Sequence, residues 1–84
     1  MEAIANYVFA KKAGVSDRQL CSWLQEYRSD LDKLGQKIKA KTINYLACLY
    51  LCDKQIIDVK EIYPEASKEE VNDAYLLIKQ KLLI

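Results

Sequence analysis

Thiols are the side chains with the most reactive chemistry in this 84-residue sequence, which has three of them, Cys21, Cys48 and Cys52. A thiol nucleophile needs a neighbouring base, and the sequence contains no histidine, which also removes Cys/His zinc sites and His-dependent triads. The odd number of cysteines and the lack of paired CxxC spacing argue against a disulfide framework. We therefore expect Cys48 and Cys52, which lie four residues apart on one helix face, to be small buried apolar residues.

Catalytic and targeting motifs are also missing from the sequence. It has no P-loop, GxGxxG, HExxH or GxSxG pattern, and a chain of this length encloses no active-site cavity of ordinary size. The sequence therefore predicts a protein that is not an enzyme and that has no cofactor and no metal site. It shows no signal peptide, and its most apolar run, 43–52, is too short for a membrane span. Together with reduced thiols, this predicts a cytoplasmic protein without a membrane partner.

Basic residues are concentrated in the first half of the chain. Residues 1–42 contain eight Lys/Arg and five Asp/Glu, whereas residues 43–84 contain five and seven. The densest basic run consists of Lys33, Lys37, Lys39 and Lys41. In a strand, the last three lysines would lie on one face and could bind phosphate, and a solvated loop is an equally good interpretation. A modestly basic half is compatible with contact to nucleic acid.

Two helices with a tight turn between them are predicted at the start of the chain. The first runs over about residues 2–13 and ends at Gly14, which has the freedom to adopt a positive φ at a helix C-terminus. Its apolar stripe is Ala3, Tyr7 and Ala10. Ser16 offers an N-cap oxygen to the second helix. The apolar stripe of that helix is Leu20, Trp23, Leu24 and Tyr27.

The segment 29–41 has two interpretations. The second helix either ends near Arg28 or continues to Gly35, because two further leucines extend its apolar stripe. Alternatively, the segment forms a short hairpin wing about Gly35–Gln36, with Ile38 as its only inward anchor.

The most apolar segment of the second half predicts a central helix. Thr42 can cap this helix, which covers about residues 43–53 and is apolar nearly all round. A helix of that kind belongs in the centre of a fold or in a subunit interface.

Two further helices follow. Asp58 caps a short helix over 59–63, which ends before a proline. Ser67 and Glu70 form a capping box for the last helix, 68–82. The predicted buried face of this last helix is Val71, Ala74, Tyr75, Ile78 and Leu82.

Residues 6–25, NYVFAKKAGVSDRQLCSWLQ, contain a spacing pattern that carries a functional argument. A small residue is followed four positions later by glycine, then by a hydrophobic residue, a serine and two more hydrophobic residues. These positions are Ala10, Gly14, Val15, Ser16, Leu20 and Trp23. The pattern resembles the helix-turn-helix of bacterial and phage DNA-binding proteins. The small residue lets the second helix cross closely, the glycine turns without a Cβ penalty, and the hydrophobic residues pack between the helices.

The resemblance implies a set of DNA contacts. In that family the second helix lies in the major groove with its N-terminal residues on the base edges. The corresponding outward positions here are Ser16, Asp17, Arg18, Gln19, Ser22 and Gln25. Arg18 would read guanine, Gln19 and Gln25 would pair with adenine, and the serines would bind phosphate. Further phosphate contacts would come from Lys11, Lys12, Arg28, Lys37 and Lys39.

The second half is similar to another part of a DNA-binding fold. Residues 57–84 resemble the helix 2–turn–helix 3 portion of a winged-helix domain, with the predicted helix 43–53 as helix 1. Carboxylates lie on or beside the would-be recognition helix, namely Glu65, Glu69, Glu70 and Asp73. Because carboxylates repel phosphate, we expect this half to pack and to dimerise instead of binding DNA.

These observations predict one compact all-α domain over residues 1–84, with four or five helices, an N-terminal helix-turn-helix and, as one alternative, a short β-hairpin wing. Residues 1–41 would form the helix-turn-helix and wing, and 42–84 the helical core, winged-helix-like or dimerisation half. The resemblance implies a transcriptional regulator or replication or recombination accessory of a phage or mobile element. It would bind double-stranded DNA as a homodimer through helices 43–53 and 68–84. The alternative is a protein-binding module, such as an immunity protein, an inhibitor or an adaptor.

Overall fold

The computed structural model describes residues 1–83 and is mostly helical, which confirms the predicted fold class. Its elements are β1 (Ile4–Ala5), α1 (Asn6–Ala13), α2 (Asp17–Glu26), α3 (Arg28–Lys33), β2 (Thr42–Ile43), α4 (Tyr45–Gln55), α5 (Val59–Ile62) and α6 (Lys68–Leu82). The described chain therefore has six helices where four or five were expected, because a separate short helix, α3, follows α2. The strands β1 and β2 form a small antiparallel pair.

Helix α4 lies at the centre of the core. Every residue from Ala47 to Cys52 is buried, as its nearly continuous apolar sequence predicts. Helix α6 packs against α4, and α1 packs against both α2 and α5. The expectation that α4 supplies a dimer interface is wrong, because its apolar surface is already covered by the rest of this chain.

The end of α1 and the N-caps of α2, α5 and α6 are placed as the sequence predicts. Gly14 ends α1 with a φ of +75°, and the Ser16 hydroxyl accepts the N–H of Gln19 at 3.0 Å. Asp58 caps α5 in the same way. Ser67 and Glu70 form the predicted capping box at the start of α6. On α6, Ala74 and Ile78 are buried, and the other three residues of the predicted face are half-buried.

The start of the chain differs from the prediction. Helix α1 begins at Asn6 and not near residue 2, because Ile4 pairs with Ile43 across the antiparallel strands. The buried face of α1 is also rotated. Tyr7 is 70% exposed, whereas Phe9 is fully buried beside Ala10. Burial against α2 and α5 therefore selects a face that the apolar spacing alone did not identify.

The segment after α2 is helical and then irregular. The chain breaks its helix at Tyr27 and restarts as α3, whose Leu31 is buried. This favours the helical interpretation of 29–41 over a hairpin wing about Gly35–Gln36, since β2 pairs with the distant β1. The predicted cap of the next helix is wrong by two residues. Thr42 lies in β2, and the Asn44 side chain accepts the N–H of Ala47 at 2.8 Å.

Candidate functional site

The α1–turn–α2 unit presents one face of α2 to solvent and anchors the other. The small residue Ala10 and two of the predicted packing residues, Leu20 and Trp23, are buried, whereas the third, Val15, is half-buried. The turn is closed by the N–H of Val15, which donates to the carbonyl of Ala10 at 2.9 Å. Arg18 is exposed on the opposite side. The apolar side of α2 is thus packed in the core, and the polar side chains on its other side are exposed to solvent.

All six predicted outward positions of this unit are exposed, namely Ser16, Asp17, Arg18, Gln19, Ser22 and Gln25. Arg18, Ser22 and Gln25 follow one another at i, i+4 and i+7, so they form a single ridge along α2. Asp17 lies in the first helical turn, where its carboxylate stabilises the positive end of the helix dipole. The ridge carries one guanidinium, one hydroxyl and one amide, which is a mixed set of hydrogen-bonding groups.

Two clefts run along one flank of α2. The first, about 420 Å³, is lined by Tyr7, Asp17 and Cys21 among others, with Lys41 on its far side. The second, about 450 Å³, lies between Gln25 of α2 and Lys39 of the basic run. Both clefts include Cys21 and Lys41, so they adjoin each other. Folding therefore brings part of the basic run beside α2, although the residues are more than a dozen positions apart in sequence.

A buried glutamine that the sequence reasoning missed holds this run in place. Gln36 is only 5% exposed. Its Oε1 accepts the backbone N–H of Asn44, and its Nε2 donates to the carbonyl of Thr42, both at 2.8 Å. The Asn44 side chain in turn donates to the carbonyl of Leu34 at 3.1 Å. No local pattern marks Gln36, because its main partners lie six and eight residues further along the chain.

The remaining predicted phosphate contacts are not equivalent. Lys11 and Arg28 are exposed. The Lys12 ammonium donates to the carbonyl of Ile62 at 3.1 Å, so this side chain ties α1 to the end of α5. Lys37 lies 4.0 Å from the carboxylate of Asp32, and both side chains are largely in solvent. An exposed pair of this kind is weak and can be exchanged for another anion.

The cysteines behave as the sequence predicts. Cys48 and Cys52 are buried in α4. Burial raises the pKa of the Cys48 thiol to about 11 and that of the Cys52 thiol to about 12. Both are therefore protonated and unreactive at neutral pH. Cys21 is exposed, on the cleft side of α2.

Within residues 1–83, His, Cys, Asp and Glu form no cluster of three or more that could hold a metal ion. None of the helices from α1 to α6 is long and apolar enough to cross a membrane.

The functional assignment therefore depends on the exposed ridge of α2 and the basic residues near it. Comparison of the chain with protein-family models, with curated proteins and with solved structures gives no match.

Proposed function

We propose that this protein binds double-stranded DNA, with α2 in the major groove, as a transcriptional regulator or a replication or recombination accessory. The observation that carries the proposal is the orientation of α2. Its apolar side is anchored on α1 through Leu20 and Trp23, while Arg18 and Gln25 lie on the exposed ridge. A helix whose apolar side is packed in the core and whose polar side chains project into solvent suits the major groove, which admits one α-helix.

The chemistry of the ridge assigns roles to individual residues. The guanidinium of Arg18 matches O6 and N7 of guanine, and the amides of Gln19 and Gln25 match adenine. Asp17 repels phosphate, so its favourable position is against a base edge, where a carboxylate accepts from the cytosine amino group. Ser16 already accepts one hydrogen bond within the helix cap, and its hydroxyl hydrogen remains able to donate to phosphate.

Basic side chains outside the ridge would bind the DNA phosphates and so fix the position of the protein on the duplex. Lys39 lies across a cleft from Gln25, and Lys11, Lys37 and Arg28 are exposed. These side chains would contact phosphate without reading sequence. Lys12 contributes less, because its ammonium is bonded to the carbonyl of Ile62.

A domain of this size contacts few base pairs, so the proposal includes two copies on one site. Helix-turn-helix dimers bind half-sites about 34–36 Å apart on one face of the duplex. The dimer would raise both affinity and specificity above those of one copy.

Fluorescence anisotropy on a pool of random duplexes, at about 50 mM salt and then at about 200 mM, tests the proposal. Contacts to phosphate release counterions, so affinity should fall by tenfold or more over this range. Lys39→Ala should weaken binding to all duplexes. The matched control is Lys68→Ala, which removes the same charge from α6, among acidic residues, and should leave affinity unchanged.

Sequence readout is tested separately, on a duplex selected from the random pool. Arg18→Ala should lower the preference for that duplex over the pool by about 5–100-fold, equivalent to the loss of one good base contact. Circular dichroism should show an unchanged fold, since Arg18 is exposed. Absence of binding at low salt would exclude α2 as a DNA-binding helix, and equal binding by the Lys39 and Lys68 variants would exclude Lys39 as a phosphate contact.

A protein-binding module is the second candidate function. The observation that favours it is the acidic surface around α6, where Glu65, Glu69, Glu70 and Asp73 are all exposed. Such a surface suits a basic protein partner. If DNA binding is absent at low salt, this candidate replaces the first.

A further inference from the structure

Helix α6 carries apolar side chains on two opposite sides. One side, with Ala74 and Ile78, is buried against the core. On the solvent side, Leu76 is 59% exposed and Leu77 is 42% exposed, and Leu83 just beyond the helix is 87% exposed. These three leucines are half of the strongly exposed large hydrophobic residues among residues 1–83. A single exposed leucine needs no explanation, whereas a cluster on one helix marks an interaction surface.

The charges along α6 are divided between its two halves. Glu69, Glu70 and Asp73 lie in the first half, and Lys79 and Lys81 lie in the second. All five are exposed. Lys68 is the one basic residue at the acidic end, where three carboxylates lie in the same half, so this half keeps a net negative charge. The exposed leucines at positions 76 and 77 therefore lie between an acidic segment and a basic one.

We propose that α6 pairs in antiparallel orientation with α6 of a second copy of this chain, about a two-fold axis at Leu76–Leu77. A two-fold interface uses the same surface on both copies, so the surface must complement itself. An axis at position 77 brings Asp73 of each copy opposite Lys81 of the other. An axis at position 76 brings Asp73 opposite Lys79, and Asn72 opposite Gln80.

The charge pattern selects this orientation over the parallel one. In an antiparallel pair each acidic half faces a basic half, and the two helix dipoles also oppose each other favourably. A parallel pair would place the acidic halves together and the basic halves together. The leucines fill the centre of the antiparallel pair.

This interface would supply a dimer to the DNA-binding proposal, but it does not depend on DNA contact. It uses none of the α2 residues assigned to DNA. A helix of 15 residues is about 22 Å long, so the pair is small and the dimer should be reversible and dependent on concentration.

Sedimentation equilibrium of the full chain without DNA tests the interface. A reducing agent is needed, because the exposed thiol of Cys21 could cross-link two copies. The wild-type chain should dimerise as concentration rises, and Leu76→Glu should weaken the dimer by at least tenfold. The matched control is Ile56→Glu, which places the same charge on a residue that is 94% exposed outside α6 and should dimerise like the wild type.

Charge reversal tests the orientation. A variant with Glu69→Lys and Asp73→Lys has a basic α6, and one with Lys79→Glu and Lys81→Glu has an acidic α6. Each alone should dimerise at least tenfold more weakly than the wild type, and an equimolar mixture should recover a heterodimer. Added salt should weaken the wild-type dimer.

Each result decides part of the proposal. A wild-type chain that remains monomeric at millimolar concentration overturns the interface, as does a dimer that Leu76→Glu leaves intact. A dimer that is sensitive to Leu76→Glu but not to charge reversal overturns the antiparallel arrangement. Failure of DNA binding would leave all of these readouts unaffected, so the two proposals fail separately.

Discussion

Helices α2 and α6 begin with the same kind of serine N-cap and differ in the chemistry of their exposed sides. Ser16 and Ser67 each accept the N–H of the third residue onward, at 3.0 and 3.1 Å. Each helix then buries one side, α2 through Leu20 and Trp23 and α6 through Ala74 and Ile78. Their exposed sides differ, since α2 presents one arginine, hydroxyl and amide groups and a carboxylate at each end, whereas α6 presents carboxylates, lysines and leucines.

The difference shows that a capped amphipathic helix does not by itself determine what the helix binds. Both helices form for the same local reasons, a capped first turn and an apolar stripe. What each helix can bind is decided by residues that contribute little to folding. A polar ridge with a guanidinium suits a DNA groove, whereas leucines between an acidic and a basic segment suit a second protein surface.

The largest expected effect is on the anchors of the two helices. Trp23→Ala on α2 should lower the free energy of unfolding by about 3–5 kcal/mol, and Ile78→Ala on α6 by about 2–5 kcal/mol, because each leaves a cavity in the core. Domains of this size are typically stable by roughly 5–15 kcal/mol, so both variants should be close to unfolding. Urea titration followed by circular dichroism measures the change.

The controls for this pair are substitutions on the exposed sides. Arg18→Ala and Leu76→Ala should each change stability by only about 0.5 kcal/mol or less. If Trp23→Ala melts like Arg18→Ala, then α2 is not anchored as described and its ridge is not oriented toward solvent.

An intermediate loss of stability is expected on replacing Gln36, the buried amide beside α2. Among the described residues no buried amide lies beside α6. Gln36→Leu removes the partners of the Asn44 N–H and the Thr42 carbonyl, at a cost of about 1–3 kcal/mol. Amide hydrogen exchange should show faster exchange at Asn44. The same change at exposed Gln19 should leave both stability and exchange at Asn44 unaltered, and equal effects at the two positions would contradict the role assigned to Gln36.

The smallest loss of stability is expected on removing the N-cap hydroxyls of α2 and α6, and the two losses should differ in size. Ser16→Ala and Ser67→Ala should each cost about 0.5–2 kcal/mol in thermal melts. The Ser67 variant should be the less destabilised, because the backbone N–H of residue 67 still donates to the Glu70 carboxylate, at 3.2 Å in the wild type. A larger loss at Ser67 would show that the start of α6 limits stability more than the turn after α1 does.

Local signals predicted much of this fold. The caps of α2, α5 and α6 were found, because a cap requires only a side chain and an N–H two or three residues away. The burial of α4 followed from its composition, and the buried face of α6 from its spacing. The exposed ridge of α2 was also placed by spacing, once Leu20 and Trp23 were assigned to the core.

Contacts between distant residues were not predictable in the same way. The pairing of Ile4 with Ile43 shortened the first helix, and Phe9 replaced Tyr7 in the core. The leucines at positions 76, 77 and 83 were not singled out from the sequence, although α6 was expected to contribute to a dimer interface. Their exposure became evident only from the packing of the opposite side of α6 on α4.

The sequence by itself determined where the helices of the second half lie, which residues cap α2, α5 and α6, and that α4 must be buried, because these properties depend on residues within a few positions of one another. Tertiary structure decided which side of α1 is buried, how Gln36 holds the basic run, and that this run lies beside α2. Those outcomes depend on groups that are distant in the chain and meet only when the core closes.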